Sequence, residues 1–198
     1  GVLEYAGIPS SEFRADSCES YGSLNLMKGG LYNCTKITTV SPTYANEIRT
    51  PEYGCGLDGV LRFRGADLIG IINGVDTEAW NPQTDEFIAA NYSLSDMKGK
   101  SACKKALQKR LGLEVSAKKP VFGVVSRLYS QKGLDLLARI AGELVGHMDI
   151  QIAILGTGEH WLENAFSDLT AKFPGKISAY IGFDNELAHQ IEAGSDFF

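Results

Sequence analysis

The sequence predicts an α/β fold built on parallel sheets. Apolar runs and helix-periodic segments alternate as β-α-β-α-β-α through the second half of the chain, an order that argues for parallel strands with right-handed crossovers. Glycine-bearing loops follow each of those apolar runs, at residues 126–133, 156–158 and 182–184. With 44% hydrophobic and 22% charged residues over 198 positions, the composition is that of a folded globular chain and not of a disordered one. That length corresponds to between one and two domains.

The elements follow in order. Residues 36–40 read as a strand ended by Ser41-Pro42. Ser41 as N-cap and Pro42 at the first helical position open a helix through about Ile48. Leu57, Val60 and Leu61 suggest a further short helix, and residues 68–72 a strand. Asn73-Gly74, followed by Asn81-Pro82, marks a loop and the best candidate domain boundary. Residues 95–111 read as a helix stopped by Gly112.

The short apolar run 121–125, bounded by Pro120 and a polar loop, is a buried strand. Over residues 133–147, Leu134, Leu137, Ile140, Ala141, Leu144 and Val145 fall at helical spacing. A strand at 150–155 is followed by a helix with Leu162, Ala165, Phe166, Leu169 and Phe173 on one face. Another strand at 177–181 leads to a short helix at 186–192. A further strand is expected to begin at Asp196-Phe197-Phe198, so the polypeptide reads as a piece of a longer one.

Several function classes are disfavoured. The 19 basic and 24 acidic residues leave a formal net charge of −5, the wrong sign for a partner bound through its nucleic-acid backbone. No apolar run approaches the roughly 20 residues of a membrane span, and the first residues have no basic start before an apolar core. Cys18, Cys34, Cys55 and Cys103 form no C-x-x-C pair and read as reduced thiols of a cytoplasmic protein. His147, His160 and His189 are scattered and no Asp-x-Asp occurs, so no metal ligand set is indicated.

In an open parallel sheet, ligands bind outside the carboxyl ends of the strands. The loop 126–133 carries Arg127, a planar fork for phosphate oxygens, and Lys132, a compact charge. A helix start near Gly133 adds backbone N–H groups and a favourable dipole. Together they suit a diphosphate, though the same residues read equally as two solvated cations. Gly156-Thr157-Gly158 lacks the third glycine of a dinucleotide fingerprint, since Trp161 stands there. A nicotinamide-dependent oxidoreductase is therefore disfavoured, and a tight strand-to-helix turn is the plainer reading. Phe183 at the third loop suits stacking on a nucleobase, and equally a place in the core.

The chain carries the motifs Ser126-Arg-Leu-Tyr-Ser-Gln-Lys-Gly-Leu-Asp135, Lys28-Gly-Gly-Leu31, Thr39-Val-Ser-Pro-Thr-Tyr44 and Tyr53-Gly-Cys-Gly-Leu-Asp-Gly-Val-Leu61. They continue in order through Asn73-Gly-Val-Asp76 with Trp80-Asn-Pro82, then Leu155-Gly-Thr-Gly158 and Ala193-Gly-Ser-Asp-Phe197. In these motifs and their order the chain resembles the bacterial-type glycogen and starch synthases. The resemblance implies the GT-B architecture, two Rossmann-like domains facing a cleft, here both incomplete. Residues 1–72 would end the acceptor-side domain, and 73–198 would supply the hinge and the first part of the nucleotide-binding domain.

It also implies retaining transfer of glucose from ADP-glucose, or UDP-glucose, to the non-reducing end of an α-1,4-glucan, with no cofactor and no metal. Arg127 and Lys132 would be catalytic, holding the diphosphate of the donor and of the leaving nucleotide. Phe183, where the family usually has Tyr, would stack on the base. Gly156 and Gly158 would belong to the substrate-binding turn, and Asn73 would lie near the donor sugar. Other readings are another GT-B sugar-nucleotide transferase, or a nucleotide- or glucan-binding module without turnover.

There are departures. Gly1 and Val2 stand where the family has His-Asn, and the stretch between Tyr5 and Lys28 is shorter than usual. The family's upstream Lys-x-Gly-Gly-Leu loop and downstream glutamate pair lie outside these residues. Lys28-Gly-Gly-Leu31 mimics the former and is given no phosphate role. The 198-residue span alone is expected to be inactive.

Overall fold

Alternation of side chains along strand and helix sorts the residues into layers in the computed structural model, which describes residues 2–198. Gly1, one of the two residues that stand where the family has His-Asn, lies outside the described residues. The chain divides into two compact units, Gly1–Val75 and Asp76–Phe198.

The first unit is made of short elements. After a helical turn α1 (Val2–Tyr5), strands β1 (Glu19–Ser20) and β2 (Ser23–Leu24) form an antiparallel hairpin. Tyr21 and Gly22 at its turn both have positive φ, 51° and 77°, as a two-residue hairpin loop requires. The helix α2 (Leu26–Asn33) follows, its first turn capped by Asn25, whose Oδ1 accepts the Lys28 N–H at 2.9 Å. The hairpin and α2 were not read from the sequence, where Gly29 and Gly30 hide a helix. Gly29 is needed because a Cβ there would sit 2.4 Å from the sulfur of Cys18. Lys28 donates to the Glu19 carbonyl at 2.7 Å, from within a helix.

Strand β3 (Ile37–Thr39) then leads into α3 (Pro42–Glu47), capped by Ser41 as expected. Helix α4 (Asp58–Arg64) precedes β4 (Leu68–Gly70), which pairs with β3 in parallel. Strand β4 is two residues shorter than the sequence suggests. Ile37, Ala45, Val60, Leu61 and Leu68 form the core of this unit. The Arg64 guanidinium donates to the carbonyls of Leu31 and Cys34, fastening the end of α2 to α4.

The second unit is a three-layer sandwich. Helix α5 (Lys98–Arg110) starts three residues later than expected. Ser93 to Asp96 form a turn, and the Asp96 carboxylate accepts the Lys98 N–H at 3.1 Å. Strand β5 (Val121–Val125), helix α6 (Leu134–His147), strand β6 (Gln151–Gly156), helix α7 (His160–Lys172), strand β7 (Ile177–Ile181) and helix α8 (Asn185–Gly194) complete it. The sheet is parallel in the order β5-β6-β7. Phe197 bridges Phe122 in parallel, at the edge of β5 away from β6. Helix α8 is longer than the sequence reading because Asp184 caps it, accepting the Leu187 N–H at 2.8 Å.

Strand β6 is buried along its whole length and its period of two divides the core. Ile152 and Ile154 face Leu134, Ala141 and Val145 of α6 and Leu162 and Phe166 of α7. Ala153 and Leu155 face Leu107 of α5 and Leu187, Ala188 and Ile191 of α8. Ile140, expected on the buried stripe of α6, lies at its margin and is 46% exposed. Phe173 ends α7 as its cap residue and packs against the first of these cores. The four cysteines are free thiols. Among the described residues no helix is long and apolar enough to cross a membrane.

Candidate functional site

Three loops meet at the carboxyl ends of β5, β6 and β7. Their backbones are stitched together: the Leu128 N–H donates to the Thr157 carbonyl (2.9 Å), the Glu159 N–H to the Leu128 carbonyl (2.8 Å) and the Gly182 N–H to the Gly156 carbonyl (3.0 Å). So close an approach excludes side chains at the turn. A Cβ on Gly156 would sit 1.9 Å from the Ser126 carbonyl oxygen, and one on Gly158 would sit 2.3 Å from that of Leu128. Two glutamates brace the same turns. Glu163 accepts the Thr157 hydroxyl at 2.5 Å and the Gly158 N–H at 2.8 Å. These bonds, the hydroxyl's first, hold its carboxyl below the ordinary range. Glu159 accepts from the Ser130 hydroxyl (2.9 Å) and the Trp161 indole (2.7 Å), and its carboxyl is likewise lowered, chiefly by Ser130.

Above these turns lies a cleft of about 350 Å³, lined among others by Trp80, Arg127, Gly156, Phe183, Asp184 and Glu192. Arg127 has no ion pair among the described residues; its guanidinium lies 5.3 Å from the centre of the Tyr129 ring. Phe183 is 89% exposed. That excludes its reading as a core aromatic and leaves a ring face open to solvent. Burial pushes the Glu192 carboxyl above its usual range.

Of the sequence-derived candidates, the cleft brings Arg127, Gly156 and Phe183 together. Lys132 ends the 3₁₀ turn Ser130–Lys132 of the same loop. It is exposed, without ion pair or side-chain hydrogen bond among the described residues, but is not in the lining of that cleft. Gly133 follows in the left-handed conformation (φ 73°) and opens α6. Gly158 lies under the cleft, against Leu128. Asn73 belongs to the other unit and is exposed. Trp80, Glu159, Glu163 and Glu192 were missed, and a Glu one turn into the helix after Gly-Thr-Gly was the one signal available. Among the described residues no group of three or more His, Cys, Asp or Glu side chains could hold a metal.

Comparison with known proteins gives a consistent set of relatives. Residues 1–63 match the family model described as starch synthase catalytic domain. Over 198 residues the chain is 50% identical to glycogen synthase 1 of Geobacter sulfurreducens, covering 100% of this chain and 39% of that protein. Over 196 residues it is 49% identical to the glycogen synthase of Thermotoga maritima, covering 99% of this chain and 40% of the relative. The structure is similar to the catalytic domain of starch synthase IV from Arabidopsis thaliana bound to ADP and acarbose. That match has a TM-score of 0.85 at 35% identity, over 94% of this chain and 39% of the other. The chain thus spans about two-fifths of the length of the relatives it matches.

Proposed function

Because the chain belongs to the glycogen and starch synthase family, a group of GT-B glycosyltransferases, we propose that it is part of a cytoplasmic enzyme that transfers glucose from ADP-glucose to the non-reducing end of an α-1,4-glucan, with retention of configuration. The observation that carries this reading is the cleft at the carboxyl ends of β5, β6 and β7. There an unpaired Arg127 and an exposed Phe183 stand over turns made of glycine. The unit Asp76–Phe198 acts as the nucleotide side and Gly1–Val75 as part of the acceptor side. Asn73 serves the donor sugar.

The donor's diphosphate lies against Arg127 and Lys132, and its base on Phe183. Gly156 and Gly158 keep the floor of the turn free of side chains. As the bond from glucose to the diphosphate breaks, negative charge grows on the bridging oxygen, and cations already in place gain most at that moment. No intramolecular carboxylate competes for either cation among the described residues. Because these two side chains supply the positive charge, turnover is expected to survive chelation by EDTA. Restoration of a chelated, dead enzyme by Mg²⁺ would contradict that assignment. ADP in the Arabidopsis neighbour supports the adenine nucleotide, and turnover of ADP-glucose against UDP-glucose by the full-length enzyme tests it.

The principal test is kinetic. In the full-length enzyme, Arg127→Ala and Lys132→Ala should each lower kcat about a hundredfold, or roughly 3 kcal/mol, with a smaller rise in donor KM. Arg127→Lys should not restore it, because a point charge does not reproduce the fork. Thermal melts run alongside should be unchanged. Normal kcat in either alanine variant would refute the catalytic assignment.

A further inference from the structure

The segment after Val75 is laid onto α8 by a ring stack and one buried polar contact. The Asp76 carboxylate accepts the N–H groups of Glu78 and Ala79, both at 3.0 Å, turning the chain into the stretch that carries Trp80. The indole of Trp80 stacks on the imidazole of His189, centroids 3.8 Å apart and planes within 6°. His189 Nδ1 meets Asp85 Oδ2 at 2.7 Å, and these side chains are only 5% and 7% exposed. Phe87 closes on the imidazole at 5.0 Å, tilted by 57°, and its carbonyl accepts from Gln190 at 2.9 Å.

These contacts fix one ring by another. A buried carboxylate–imidazole contact is costly to leave half-made. The hydrogen bond that the Asp85 carboxylate accepts from the ring therefore sets the orientation of His189. The ring's orientation in turn sets the plane of Trp80. Trp80 remains 39% exposed and lines the cleft that also holds Arg127 and Phe183. The cleft thus has two aromatic walls of different character. Phe183 stands in solvent, whereas Trp80 is held before any ligand arrives.

We propose that Asp85 and His189 are positioning residues that hold Trp80 as a fixed aromatic wall of the cleft, against which the nucleotide of the donor lies. This rests on the donor reading given above. A wall ordered in advance spares the ligand the cost of immobilising it, and a flat aromatic surface suits a nucleobase or the ribose beside it. Asp85 and His189 touch no ligand themselves; they act through Trp80.

The test is a double-mutant cycle on the full-length enzyme, read as Kd for ADP and as donor KM and kcat. Trp80→Ala should weaken ADP binding and raise donor KM about tenfold, with kcat within about twofold. Trp80→Phe, which keeps a ring against His189, should restore most of the loss. His189→Ala should raise KM similarly in the native background and add nothing in the Trp80→Ala background. Independent, additive losses would overturn the proposed route through Trp80. Trp80 is a partly exposed side chain, so its two variants keep the question open to refutation even where His189→Ala fails to fold. ADP binding by unsubstituted enzyme, matched by Trp80→Ala, would overturn this inference alone. No ADP binding by unsubstituted enzyme would instead overturn the donor reading beneath it.

Discussion

The two ends of the β5-β6-β7 sheet treat polar groups in opposite ways. At the amino end, buried Gln108 and Gln151 are fully engaged. Gln108 donates to Gln151 Oε1 (2.8 Å) and to the Ser116 carbonyl (2.9 Å), and Gln151 donates to the carbonyls of Glu114 (2.7 Å) and Gly175 (3.0 Å). Lys104, nearly buried, pairs with Asp196 at 2.7 Å, and the same carboxylate oxygen accepts the Val121 N–H. At the carboxyl end, Arg127 and Lys132 are left without carboxylate partners among the described residues, and an aromatic ring faces water. The polar groups of the amino end satisfy one another, whereas at the carboxyl end only the bracing pairs around Glu159 and Glu163 are satisfied and the two cations keep their donors free. The difference marks the carboxyl end as the side of the sheet that leaves charged donors and a ring face open to solvent.

The comparison can be broken by substitution. The largest effect on folding is expected at Gly156, under the carboxyl-end turns, where Ala would drive a methyl into the Ser126 carbonyl. Overpacking against backbone should cost on the order of 3 kcal/mol, read as a fall in the urea midpoint. Next comes Gln151→Leu at the amino end, which removes one of the two acceptors of the Gln108 amide and leaves the Glu114 carbonyl unmet, while the Gly175 carbonyl keeps the Glu114 N–H. That should cost about 2 kcal/mol while leaving the affinity for ADP unchanged. Phe183→Ala should do the reverse, weakening ADP about tenfold with no change in the melt, because the ring is 89% exposed.

The smallest effect is a pH dependence. The Glu163 carboxyl is lowered in the folded protein, so its contribution is fully present above the unfolded value near 4.3 and is lost as pH falls through the folded one. Glu163→Gln should therefore be less stable than the unsubstituted protein at neutral pH, with the gap closing in acid. Glu192, raised by burial, should show the opposite sign: replacing it by Gln removes a destabilising charge at neutral pH.

Much of the sheet was legible in the sequence because buried parallel strands are continuous apolar runs. The bounds of β5 and β7 follow directly from their residues, as does the start of α3 from Ser41-Pro42. The exposed cation and aromatic positions of the site also carried a signal, since they stand immediately after those strands. The α2 helix did not, because its two glycines weaken the helical pattern and a contact with Cys18 explains one of them. Nor did the stack of Trp80 on His189, or its anchor at Asp85. Residues about a hundred positions apart meet only through the tertiary fold, and no local periodicity encodes that meeting.

The central claim, that the carboxyl end of this sheet receives a sugar nucleotide, is tested most directly by amide hydrogen exchange on the full-length enzyme with and without ADP. Added protection is expected in residues 126–133, 156–158 and 182–184, and none at the amino end, residues 114–120 and 174–176. Protection that appears at the amino end, or fails to appear in the three loops at saturating ADP, would contradict the account.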